Sequence, residues 1–86
     1  MTTRAEISEW FDEGVRAGGA YLIVVCDTFD HEDYPVYVRP NDDVRERFAQ
    51  FNGPNMQKVM EVYDLTGDKA VQLAETRAWH LPSEAS

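Results

Sequence analysis

Four carboxylates, Asp27, Asp30, Glu32 and Asp33, fall within seven residues, with His31 between them. Hard oxygen ligands gathered in one loop are what Ca²⁺ or Mg²⁺ requires, and Asp27, Asp30 and Asp33 could hold an ion that activates water for hydrolysis. The pattern lacks the marks of an EF-hand, because no glycine stands at the sharp turn and no glutamate closes the loop at the required distance. A solvated acidic turn is the favoured reading, and no metal or cofactor is expected. Asp27 stands apart from the other three. It directly follows an apolar run and can turn its carboxylate back into the fold, where it would need Arg39, Arg77 or a backbone N–H as partner.

The other reactive side chains form no catalytic pattern. The two histidines, His31 and His80, are far apart in sequence, and with a single cysteine there is nothing like zinc-ligand spacing. Cys26 closes an apolar run and reads as a small buried hydrophobe rather than a nucleophile. Neither a glycine-rich phosphate loop, a nucleophile elbow nor an HExxH motif occurs. A binding protein is therefore expected rather than an enzyme.

The segment ETRAWHLP concentrates Arg77, Trp79 and His80. Alternation along a strand would put Arg77 and Trp79 on one face, where a cation answers phosphate and an indole stacks a base. The competing reading has Trp79 filling the core with Trp10 while Arg77 answers Glu61 or Asp64. Tyr34, Tyr37 and Tyr63 add hydroxyls and stacking surface, although aromatic residues on strands are first of all packing. The candidate ligand site is Arg39, Arg77, Trp79 and His80, with Tyr34 or Tyr37 stacking.

The elements that must position these residues follow from patterning. Thr3 and Glu6 stand at capping-box spacing, Ile7, Trp10, Phe11 and Val15 share one helical face, and Gly18-Gly19 supplies an exit, which predicts a helix over 4–17. The run AYLIVVC, Ala20 to Cys26, suits a central strand buried on both faces. After the acids, YPVYV forms a second strand with Pro35 at its start or on an edge, and the two make an antiparallel hairpin with a loop of about seven residues. Val44, Phe48 and Phe51 mark a second helix ended by Asn52-Gly53-Pro54, and QKVMEVYDL reads as a third strand. Residues 68–75 favour a short helix over a plain hairpin, since most are good helix formers, and 77–81 a fourth strand. The expected fold is α+β in the order α-β-β-α-β-α-β: a four-stranded, mostly antiparallel sheet with two or three helices on one face. It forms one domain over 1–82 with a polar tail at 83–86.

Composition bounds the partners. The chain of 86 residues has 16 acids against 8 Lys plus Arg, a formal charge of −8. That field opposes direct contact with nucleic acid or anionic lipid. The longest apolar run, Ala20 to Cys26, falls far short of the roughly 20 residues a membrane helix needs. One cysteine and no charged-then-apolar leader at the start imply a reduced, cytoplasmic setting. Such a small chain with many large apolar residues is expected to form a homo-oligomer.

The blocks VVCDTFDHEDYPVYV, VMEVYDL and DKAVQLAETRAWHL resemble a group of short, mostly uncharacterised proteins of bacterial and phage genomes. The resemblance covers roughly residues 4–82 and brings no catalytic residues with it. It implies a setting in which small proteins modulate host processes, including inhibitors of host defence. The leading expectation is a binding protein that sequesters a small anionic ligand such as a nucleotide signal at a subunit interface. The alternatives are an acidic decoy that binds a nucleic-acid-binding protein of the host, and a divalent-metal-dependent hydrolase.

Overall fold

The computed structural model of the protein describes residues 3–53, 56–75 and 79–80. The elements run α1 (Arg4–Arg16), β1 (Tyr21–Asp27), β2 (Glu32–Val38), α2 (Val44–Phe51), β3 (Gln57–Asp64) and α3 (Lys69–Ala74), an α+β fold. Each helix begins where a side chain satisfies its free amides. Thr3 Oγ1 accepts from Glu6 N at 3.2 Å, Asp43 Oδ1 from Arg45 N at 2.9 Å, and Asp68 Oδ1 from Val71 N at 3.2 Å. Helix α1 ends in a Schellman turn, with Gly18 N donating to Val15 O, Gly19 N to Gly14 O, and Gly18 at φ +79°.

Strand β1 is central in the order β2-β1-β3 and antiparallel to both neighbours. Successive strand residues point to opposite faces. Leu22 and Val24 therefore join Ile7, Phe11, Tyr63 and Leu65 in one core, while Ile23 and Val25 join Val38, Val44, Val59 and Val62 in another. Helix α1 covers the first face, with Leu73 of α3 packed beside it, and α2 covers the second. This corrects the expectation of helices on one face only. A strand in which every side chain is apolar leaves one row exposed unless both faces are covered, and each buried Leu, Ile or Val contributes roughly 1.5–3 kcal/mol.

The hairpin is also tighter than expected. Only residues 28–31 separate β1 from β2, because the ladder continues through Cys26↔Asp33 and Asp27↔Glu32. The ladder bonds are made by backbone, so acids can pair at an exposed strand end without burying their charge. Strand β3 carries a bulge where the register shifts opposite Val24/Val25 and Met60 is left over. The extra residue puts Val59 and Val62 on the same face, three apart, and turns Glu61 to the other.

The two sheet edges differ. Along the outer edge of β3, Gln57 O accepts from Gly53 N, Val59 N donates to Asn52 Oδ1, and Val62 O accepts from His80 N at 3.1 Å. At its end Gln72 clasps Asp64, its Oε1 accepting from Asp64 N at 2.7 Å and its Nε2 donating to Asp64 O at 2.9 Å. Strand β2 has no such cover among the described residues. Leu65 N bonds to Ala20 O and Thr28 N to Met56 O, so even-numbered residues of β1 bond to β3 and odd-numbered ones to β2. Pro35, opposite Val24, thus turns its donor-less nitrogen outward, the edge placement a proline requires. Of the fourth strand, the described residues include one parallel bridge, Val62↔Trp79. The rest of that segment and the tail lie outside the described residues.

Candidate functional site

The hairpin end is a fixed turn rather than a loose loop. Asp27 Oδ1 accepts from Phe29 N at 2.8 Å and from Asp30 N at 3.4 Å, so of the partners expected for its carboxylate the backbone N–H is the one the described residues supply. His31 completes the turn at φ +58°, its N donating to Asp27 O. Thr28 reaches across to β3, with N and Oγ1 both donating to Met56 O at 2.8 and 2.7 Å. Met56 itself sits at φ +60°. This end of the sheet therefore brings together Phe29, 72% exposed, and Met56, 59% exposed, beside the exposed acids Asp30 and Glu32. Among the described residues no group of three His, Cys, Asp or Glu side chains could hold a metal ion, and Asp27, Asp30 and Asp33 do not form one.

The proposed ligand residues that are described come from β2, the segment after it and residues 79–80. Tyr34 and Tyr37 lie on opposite faces of β2: Tyr34 packs toward the α2 core and accepts a hydrogen bond from Gln57 Nε2, while Tyr37 packs toward the α1 core and donates to Glu13 Oε2 at 3.4 Å. Burial, reinforced by Glu13, pushes the Tyr37 hydroxyl up to about 12. Arg39 is exposed just past the end of β2. Trp79 stacks edge-on against Phe48 of α2, ring centres 5.5 Å apart, and keeps 47% of its surface exposed. It does not join Trp10, which packs against the core on the opposite face. His80 Nε2 stands 3.2 Å from Glu75 Oε1, and Arg77 lies outside the described residues. Cys26 is half-buried, and burial followed by Asp33 and Asp27 pushes its thiol up despite Lys58, which keeps it a weak nucleophile.

Sequence reasoning missed the most constrained polar group in the core. Glu61 Oε2 accepts from Arg4 Nη1 at 3.0 Å and from the Tyr63 hydroxyl at 2.8 Å, and Arg4 Nη1 also reaches the Tyr63 oxygen at 2.7 Å. Arg4 Nη2 continues to Glu75 O at the end of α3. Burial pushes Tyr63 well above the ordinary phenol value, helped by Glu61 and opposed by Arg4. For Arg4, burial pulls down, but Tyr63 and Glu61 outweigh it and hold the guanidinium charged. The signal was available, since a carboxylate inside VMEVY must find a cation or donors if the strand is buried. Glu61 was foreseen as an ion-pair partner, but of Arg77 rather than Arg4.

A small cleft of about 250 Å³ beside α2 is lined by Asp42, Asp43, Glu46, Arg47 and Gln50. Its charges answer one another: Asp43 caps the helix, and Arg47 lies 3.9 Å from Asp42 and 3.4 Å from Gln50. Among the described residues no helix is long and apolar enough to cross a membrane. No protein-family model, curated protein or solved structure matches this chain.

Proposed function

We propose that the chain is a small non-enzymatic binding protein whose carboxylate-covered surface occupies a basic surface on another protein, of the kind that otherwise contacts nucleic acid. The observation that carries this reading is the placement of the charges. Exposed acids stand on three separate elements, Glu6, Glu9, Asp12 and Glu13 on α1, Asp30 and Glu32 at the hairpin, Asp43 and Glu46 on α2. Among the cations, Arg4, Arg47 and Lys69 are each paired with a carboxylate of the same chain, Glu61, Asp42 and Asp12, while Arg16, Arg39 and Lys58 are exposed and outnumbered by the exposed acids. A net acidic field accelerates encounter with a basic partner and weakens as salt rises. The nucleotide reading has less support, because a small anion would approach against that field and Tyr37 faces away from Tyr34.

Immobilised protein tests the proposal in a bacterial lysate. Retained proteins should be basic, should be displaced by duplex DNA, and should elute progressively as salt is raised. Retention indifferent to both DNA and salt would refute it. Scanning fluorimetry with linear and cyclic nucleotides runs beside it, and a stabilising shift with one nucleotide would restore the ligand-sequestering reading.

A further inference from the structure

The geometry points to the hairpin end, Phe29 with Met56, as the docking point for a basic protein surface that carries an apolar recess, an inference that rests on the acidic-binder reading above. Phe29 and Met56 are the two most exposed of the large apolar residues described, and they stand at the same end of the sheet. The connection between them is direct, since Thr28, which precedes Phe29, makes two hydrogen bonds to Met56 O. Phe29 is held from its own side as well, its amide bonded to Asp27 Oδ1. The aromatic ring thus rides on a backbone that need not be ordered on binding, and ordering is a principal cost of association. Asp30, Glu32 and Asp33 flank the pair, with Asp27 turned to its own backbone, His31 in the turn and Lys58 the cation across from Cys26 on β3. An apolar centre with a charged rim is the anatomy of a protein interface, and this rim selects Lys or Arg opposite it. A second copy of the chain is the wrong occupant by charge, because two such rims would face acid to acid.

Two synthetic peptides of equal positive charge serve as probes: oligolysine, which has charge alone, and an amphipathic helical peptide of lysine and leucine. The native chain is expected to bind both at low salt, the amphipathic one more tightly. The double variant Phe29→Ser/Met56→Ser should lose tenfold or more for the amphipathic peptide and keep its affinity for oligolysine. Both side chains are exposed, so an unchanged melting curve confirms that the variant folds. Equal affinity of native and variant chains for the amphipathic peptide would overturn the docking point while leaving the acidic surface in place. Failure of the native chain to bind either peptide would remove the underlying reading and this inference together. Sedimentation showing a dimer of the native chain that the double variant converts to monomer would overturn it in favour of self-association.

Discussion

On the α1 side of the sheet the packing is fastened by directional bonds between charged and polar groups, whereas on the α2 side the centre is wholly aliphatic. Arg4, Glu61 and Tyr63 bond one another at the edge of a core of Ile7, Phe11, Leu22 and Val24. Ile23, Val25, Val38, Val44, Val59 and Val62 meet α2 with no such group among them. Apolar contact is indifferent to small slips of a helix across a sheet, but a carboxylate that must reach a guanidinium and a phenol admits one position. The difference suggests that α1 is located by its polar trio and α2 by shape.

The comparison breaks most visibly at Glu61. Glu61→Ala strands the Tyr63 hydroxyl and the Arg4 guanidinium, and since Arg4 is 43% exposed at its side chain the loss should be about 2–4 kcal/mol, less than for a fully buried pair. Denaturant titration measures it, and Glu61→Gln, which keeps an acceptor, should recover part. A loss below that of an ordinary surface change would mean that the trio does not locate α1. Next in size is Gln72→Ala, which leaves Asp64 N and O without their clasp and should cost about 1–2 kcal/mol in the same assay. On the α2 side a double-mutant cycle of Phe48→Ala and Trp79→Ala should give a coupling of only about 0.5 kcal/mol, because the Trp79 ring is half exposed. A coupling several times larger would show that α2, too, is pinned by a specific pair.

Alkaline pH sharpens the same contrast with the smallest signal. The folded state holds the Tyr37 proton up to about 12, above its ordinary 10.0, first through burial and then through Glu13. A raised value means the folded chain binds the proton more tightly, so this stabilisation is present below pH 10 and fades as pH rises through 12. Tyr37→Phe should therefore flatten the loss of melting temperature above pH 10, whereas Phe48→Ala on the α2 side should leave its slope unchanged.

Local signals were legible and long-range ones were not. Thr3 with Glu6 and Gly18-Gly19 act within a few residues, so α1 lies close to where those residues place it, whereas the caps Asp43 and Asp68 were not singled out. The unbroken run Leu22 to Val25 announced burial on both faces, yet the second layer it demands was not drawn from it. Strict alternation fails at Met60, since a bulge reverses which face the following residues take, and nothing local marks it. Arg4 and Glu61 are separated by 57 residues, and only the assembled sheet brings them together. Of the site, the acidic turn was legible; that Phe29 and Met56 stand at the same end of the sheet was not, because it depends on the register of β1 against β3.

Pro35 has a consequence beyond placing β2 at the rim. A bare strand edge is a template on which further copies can add, each new molecule leaving another edge for the next. A missing donor midway along that edge interrupts the ladder a newcomer would need, and the acids Glu32 and Asp33 at its end repel the like-charged copy that brings it. The opposite edge is already occupied by Gly53, Asn52, Gln72 and His80, which leaves β2 as the open one among the described residues. A strand added to the rim of β2 would find no donor at Pro35 and would set acid against acid at the hairpin end.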